Sequence, residues 1–335
     1  MSHSIEVEDE PSSENQPFIK PKNEFFRATQ SPMDFLHNNR LGSLLMFALK
    51  WGMTVFGYIM ISIAMVLFTL LIIFYFFAIT PLVSYNNYIY ATLVLVGIFL
   101  AFNLMFNYIQ CIRTPPGAPT QEWLDEVEGK IDELRRAGSS IPGKQFSKYC
   151  NRCEQAKPAR AHHCHICDKC VLRMDHHCPW VNNCIGYNNH RYFILFLFYL
   201  WTSAIHVCIV LSLVSLDKVW YNEEIWYQWG TWLAFVNILS GSMAVTMTGF
   251  FGWHVYLLLT NQTTIEFQFN KFKVVTAKRS GKSSLNEYDV GMRSNVEQLF
   301  GTIDRWIFMF LPSITPPPLS GCEYPTLSNY SRIEV

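Results

Sequence analysis

Charge is scarce in this 335-residue chain. Lys, Arg, Asp and Glu together supply 16% of it, and 26 basic residues balance 26 acidic ones. That balance excludes the overall basic bias of a nucleic-acid-binding protein, and no nucleic-acid partner is expected. Beside a hydrophobic share of 50%, so little charge also excludes an ordinary soluble protein of this size. Between Trp51 and Leu82 there is no charged residue at all. A transporter would want paired ionisable groups inside several spans, and the first apolar run offers none. No secretory leader is expected, because residues 1–23 are acidic and rich in Ser and Pro, a composition that favours disorder. Nothing resembles an ankyrin array or another docking repeat. Cysteine is present but unevenly placed. Seven of ten Cys and five of ten His fall within residues 150–184. Such clustering argues for reduced, metal-binding thiols and against a disulfide framework. Cys111, Cys208 and Cys322 are scattered and read as packing or surface residues.

Four apolar stretches reach the roughly 20 residues that a bilayer requires. They run from about Thr54 to Ile79, Tyr88 to Ile109, Tyr192 to Val214 and Gly230 to Leu259. The fourth carries Asn237, Ser240, Thr246, Thr248 and His254, polar groups that should face a bundle interior or a cavity. Twelve Lys or Arg lie between Cys111 and Arg191, none between Thr80 and Asn87, and only Lys218 between Ser215 and Trp229. Basic residues mark cytosolic loops, so both termini and the long central loop are expected in the cytosol. The expected organisation is a cytosolic segment 1–50, spans one and two in 51–110, a cytosolic loop 111–191, spans three and four in 192–259, and a cytosolic region 260–335.

Two stripes at helical spacing flank this core. Trp123, Val127, Ile131 and Leu134 form a narrow one. Val296, Leu299, Phe300, Ile303, Trp306, Ile307 and Phe310 form a wider one, which suits either an in-plane membrane helix or a helix packed on a cytosolic domain. Pro316-Pro317-Pro318 ends it, and a freely moving tail is expected beyond.

Residues 150–184 contain one ligand spacing twice, offset by 14 residues. Cys150, Cys153, His163 and Cys170 read C-x2-C-x9-H-x6-C, and so do Cys164, Cys167, His177 and Cys184. Three thiolates and one imidazole make a closed tetrahedral site for zinc. With no open position, both zinc ions are expected to be structural. His162 and His165 are spare imidazoles that would break the repeat if either replaced His163. The sets interleave, so the sites should fold together, as a zinc-dependent module with little secondary structure.

The seventh cysteine, Cys178, begins a third copy that Val181, Arg191 and Phe198 do not complete. It has no metal to bind, and Asp175-His176-His177 precedes it. A thiol becomes a nucleophile beside a base, and a carboxylate can orient that base. Cys178 is therefore expected to be the nucleophile, His176 its base and Asp175 the orienting acid. It lies about 14 residues before the third span. A fatty acyl-CoA, with a reactive head in water and a tail in lipid, would meet it there. Lys148, Lys157, Arg160, Lys169 and Arg173 are available either to CoA phosphates or to anionic lipid headgroups.

These residues carry a family resemblance. Lys157-Pro158-Ala159-Arg160, His163-Cys164, Asp175-His176-His177-Cys178-Pro179-Trp180, Asn182-Asn183-Cys184-Ile185-Gly186 and Asn189 resemble the cysteine-rich domain of DHHC-type protein S-palmitoyltransferases. Thr263-Thr264-Ile265-Glu266 resembles that family's TTxE motif. Thr114-Pro115-Pro116-Gly117 resembles its DPG motif, with Pro115 where Asp is usual. Gly291, Asn295, Phe300 and Gly301 resemble its C-terminal motif.

The resemblance implies an all-α membrane protein whose four helices enclose an acyl-chain cavity. It implies a small two-zinc domain, palmitoyl-CoA as donor, and transfer in two steps to membrane-associated proteins with cytosolic cysteines. An endoplasmic-reticulum or Golgi membrane is the expected location. Ser203, about 11 residues into the third span and so roughly 16 Å deep, is expected to line the cavity and leave room for a stearoyl chain. A non-catalytic membrane scaffold displaying a zinc module is the alternative.

Overall fold

Inside a bilayer every backbone amide must bond within its own segment, so long apolar runs become helices. The computed structural model describes residues 40–83, 86–137, 149–216, 223–279, 286–301, 304 and 306–327. Lys148, Ile303 and the acidic segment 1–23 lie outside the described residues. The first helix, α1 (Arg40–Phe74), ends in a wider π turn at Tyr75–Ile79 and a tight turn at Thr80–Val83. Helix α2 (Asn87–Arg113) starts where the Asn86 side chain accepts from Tyr88 N and Ile89 N, each at 3.1 Å. Helices α4 (His190–Leu216) and α5 (Glu223–Leu259) follow the central loop.

Four apolar spans emerge: Leu44–Leu82, Asn87–Arg113, His190–Ser215 and Gly230–Leu259. The helices themselves run past the expected apolar limits, because polar residues at an interface continue a helix without entering lipid. Helix α4 packs against both α2 and α5. A buried cluster draws Ala64 from α1, Leu100, Leu104, Tyr108 and Cys111 from α2, Phe196 and Tyr199 from α4, and Met247 from α5.

The narrow stripe forms α3 (Gln121–Arg136), and its Val127 and Ile131 pack on Ala156 of the cysteine-rich segment. The wider stripe is not one helix. Helix α7 (Met292–Phe300) stops at Gly301, whose φ of +83° ends the helical hydrogen bonding, and a separate 3-10 turn spans Trp306–Phe310. Helix α6 (Thr264–Arg279) had no counterpart in the sequence reading. Among the described residues the tail beyond the three prolines touches the rest of the chain, with Gly321 and Cys322 buried.

The cysteine-rich segment is also more regular than expected. It consists of three antiparallel hairpins, β1–β2 (Tyr149–Cys150 with Gln155–Ala156), β3–β4 (His162–Cys164 with Lys169–Val171) and β5–β6 (His176–Cys178 with Asn183–Ile185). The 14-residue sequence repeat is this hairpin repeat. Each turn holds one residue at positive φ at the same place, namely Glu154 (50°), Asp168 (54°) and Asn182 (47°). Tight turns of this kind need a left-handed residue.

Candidate functional site

Hairpin geometry assembles the two metal sites. His163 stands directly across from Cys170, and His177 directly across from Cys184. Each pair is completed by two cysteines of the preceding hairpin turn, Cys150 and Cys153 in one site, Cys164 and Cys167 in the other. All donor atoms of a set lie within 4.8 Å of one another. The His163 Nδ1 is 3.6 Å from Cys150 Sγ and 3.2 Å from Cys153 Sγ. The His177 Nδ1 is 3.8, 3.3 and 3.6 Å from the sulfurs of Cys164, Cys167 and Cys184. Ligand bonds of about 2.0 and 2.3 Å require edges of this size in a tetrahedron, so the donor sets fit zinc. His163, and neither His162 nor His165, supplies the imidazole of the first set. Its outer Nε2 faces Asp168 Oδ1 at 3.6 Å, and Asp168 is bridged to Lys50 at the base of α1 at 2.9 Å.

The third hairpin lacks a following partner, because the chain leaves it for α4. Cys178 holds the place in β5 that Cys164 holds in β3, and it stands across from Asn183. Helices α1 and α2 receive this hairpin. The Asn183 amide donates to Cys111 O at 3.1 Å and to Thr114 O at 3.0 Å, satisfying carbonyls at the end of α2. This closes the end of α2 without an acid at Pro115. Tyr108 donates to Trp180 O at 2.8 Å. On α1 the Asn182 side chain lies against Gly57, where an added Cβ would sit 2.3 Å from its Oδ1. Only a glycine lets α1 approach so closely. The Cys178 thiol thus rests, 6% exposed, in the apolar cluster where the zinc module meets the bundle.

Around the thiol the polar groups form one chain. His176 Nδ1 donates to Asp175 Oδ2 at 2.7 Å, and the ring lies close enough to the Cys178 sulfur to interact with it electrostatically. A carboxylate can only accept, so Nδ1 carries a proton and Nε2 is the nitrogen that exchanges a proton with sulfur. Asp175 is 1% exposed and accepts from Thr264 N at 2.7 Å and Thr264 Oγ1 at 3.0 Å. Burial alone would raise its pKa. The bonds from His176 and Thr264, with nearby His190, instead hold the carboxyl far below the usual range. Burial likewise disfavours a charged His176, but Asp175 and the Cys178 sulfur outweigh it and lift the imidazole to about 9. The ring is fixed edge-to-face on Phe193 at 5.3 Å, with His254 of α5 at 6.2 Å.

Two cations expected to meet phosphates are placed elsewhere. Arg160 is buried, with Nε and Nη2 each 2.7 Å from a Glu266 oxygen and further bonds to Asn261. Arg173 is 1% exposed and donates to Asn261 Oδ1 at 3.0 Å, with His190 Nδ1 at 3.3 Å. Both guanidiniums fasten the zinc module to the end of α5, so they are corrected from phosphate ligands to internal ones. Lys157 is half-buried and Lys169 exposed. Ser203 is half-buried on α4.

Glu266 also accepts from Thr263 N at 2.9 Å while Thr263 Oγ1 accepts from Glu266 N at 3.2 Å, a reciprocal cap on α6. One short motif therefore starts a helix, neutralises Arg160 and presents Thr264 to Asp175. Asn261 and Phe193 escaped the sequence reading, which named His254 only as an inward-facing polar group of the fourth span. Asn261 stands just before Thr263-Thr264-Ile265-Glu266, and that adjacency was the available signal. Asn295, wholly buried, donates to Leu259 O at 2.8 Å and to Asp289 Oδ1 at 2.7 Å, fixing α7 against the end of α5.

Arg160→Met would strand the Glu266 carboxylate in the interior, and removing one partner of a buried pair costs about 3–5 kcal/mol. The variant should melt well below the wild type in a detergent thermal-shift measurement, and adding Glu266→Gln should return most of the loss. Equal melting of the single and double variants would refute this account.

A profile of the family described as DHHC palmitoyltransferase matches residues 143–271. Among curated proteins, probable protein S-acyltransferase 14 of Arabidopsis thaliana is 34% identical over 71% of this chain and 79% of its own length. Probable protein S-acyltransferase 16 of the same plant is 31% identical over 62% of this chain and 72% of its own length. Palmitoyltransferase ZDHHC2 of Homo sapiens is 32% identical over 68% and 65% respectively. With four spans, two Cys3His sets and the intervening Asp-His-His-Cys run, the chain belongs to the DHHC palmitoyltransferase family.

Proposed function

We propose that this protein transfers a palmitoyl group from acyl-CoA to Cys178 and then to a cysteine of a membrane-associated protein. The observation that carries the reading is the hydrogen-bonded run from Thr264 through Asp175 to His176, beside a thiol outside both metal sets. Before the first step the raised His176 already holds the Cys178 proton on Nε2, so the sulfur attacks the thioester carbonyl as a thiolate. The C–S bond to CoA breaks, and His176 returns the proton to the departing thiolate. In the second step a substrate thiol gives its proton to His176 and attacks the acyl-Cys178 carbonyl, and the Cys178 sulfur leaves and is reprotonated. Both steps exchange one thioester for another, so neither needs an outside energy source. Asp175 keeps Nδ1 protonated throughout, so that Nε2 always faces sulfur.

The zinc ions supply no step and hold β5 in place. The acyl tail would enter the apolar cluster below Cys178, while Lys157 and Lys169 would meet the CoA phosphates. Ser203 would leave space at depth for stearoyl. Both termini would face the cytosol, in an endoplasmic-reticulum or Golgi membrane.

Purified full-length protein should gain a hydroxylamine-labile adduct of palmitoyl mass on Cys178 when given palmitoyl-CoA, and stearoyl-CoA should load at a comparable rate. An adduct found only at another cysteine, or none, would refute the assignment. A scaffold would take up no acyl group.

A further inference from the structure

We infer that the C-terminal strap, residues 311–327, is a positioning element of the acyl-transfer centre, with Tyr324 as its working residue. The inference rests on the proposed function of Cys178. It comes from where the strap ends. The Tyr324 ring packs on the Arg160 guanidinium at 4.9 Å, beside Tyr288 at 4.4 Å. The edges of Arg160 are already bonded to Glu266 and Asn261, so its exposed π-facing surface is what the two tyrosines cover. Glu266 holds Thr263 and so sets the first turn of α6, where Thr264 grips Asp175. Tyr324 is therefore two side chains from the turn that orients the His176 carboxylate.

The strap is built to bring Tyr324 to that place. It has no helix or strand of its own across Leu311–Tyr324. Single contacts pin it. Leu319 N donates to Tyr187 Oη at 2.9 Å, Tyr324 Oη donates to Gly321 O at 2.9 Å, and Leu327 N donates to Glu287 O at 2.9 Å. Gly321 has φ of +77°, and an added Cβ would lie 2.6 Å from Tyr187 Cδ1 and 3.1 Å from Leu172 Cδ1. Cys322 is buried with Ala161, Leu172 and Tyr187. Ala161 and Leu172 adjoin Arg160 and Arg173 in sequence, so the strap closes over the two buried cations. Ordering an irregular segment has an entropic cost, and a cation–π contact at a desolvated Arg offsets part of it.

The test compares full-length wild type, Tyr324→Leu, Tyr324→Phe and Gly321→Val. Maximal loading of Cys178 by palmitoyl-CoA should fall about tenfold in Tyr324→Leu and in Gly321→Val, the scale of a lost buried cation–π contact. Half-saturating acyl-CoA and zinc content should not change. Tyr324→Phe keeps the ring and should stay near the wild-type rate. Amide exchange at Thr263 and Thr264 should rise in Tyr324→Leu but not in Tyr324→Phe. Wild-type loading and exchange in Tyr324→Leu, equal loss in Phe and Leu variants, or loss of rate together with zinc, would each overturn the inference. A wild-type protein that does not load Cys178 would instead sink the functional reading, and the exchange measurement would still decide the strap.

Discussion

His176→Ala should load acyl groups onto Cys178 some 10²–10⁴-fold more slowly than wild type, the usual worth of a positioned base, while retaining both zinc ions. Cys178→Ser should carry no thioester-linked acyl group at all. The two variants separate chemistry from architecture, because neither residue belongs to a metal set. His176 stands beside His177 in β5, yet the two rings serve different partners. His176 is bonded to Asp175 and faces Cys178, and His177 points its Nδ1 at three sulfurs. A rapid initial-rate assay with radiolabelled or clickable palmitoyl-CoA, paired with zinc quantification, reads both quantities on one sample. Zinc lost on replacing His176 would mean that the two imidazoles had been assigned the wrong way round.

The metal sets and the membrane spans were legible in the sequence for a shared reason. Both are dictated by short-range rules. A C-x2-C pair with His and Cys at fixed offsets needs only the local turn that β1–β2 and β3–β4 supply. An uncharged run such as that after Trp51 has one stable form in lipid. Charged residues were read less well. Arg160 and Arg173 look like surface cations in a basic loop, but their partner Asn261 lies 101 and 88 positions away. Burial of an arginine is decided by which carboxylates and carbonyls the fold brings to it, and no local pattern records that. The docking of the described part of the tail was illegible on the same ground. Three prolines stop a helix, but they do not prevent an extended strap from docking, and its anchors Tyr187 and Arg160 are remote in sequence. The wider apolar stripe failed at one residue, since Gly301 at φ +83° breaks a periodicity that hydrophobicity alone carries through.

Removal of zinc should have the largest effect on stability, and it should not be divisible between the two sites. A structural zinc contributes on the order of 10 kcal/mol to a small metal-folded module. Here the ligands of different sites are neighbours on one strand, because β3 supplies His163 to the first set and Cys164 to the second. Hairpin β3–β4 is thus clamped at its His163–Cys170 pair by one ion and at its Cys164–Cys167 turn by the other. Freeing either clamp loosens the strand that carries both. The consequence reaches Cys178 through the second set, whose His177 immediately precedes it in β5. Cys150→Ala, the ligand farthest in sequence from the nucleophile, should therefore leave fewer than one zinc per chain and abolish acyl loading, although Cys178, His176 and Asp175 are untouched. Metal analysis of the purified variant, with loading measured on the same preparation, checks both statements. A variant that keeps one full equivalent of zinc and loads at the wild-type rate would mean that the interleaved hairpins fold independently, and that the second site alone suffices to hold the thiol under its imidazole.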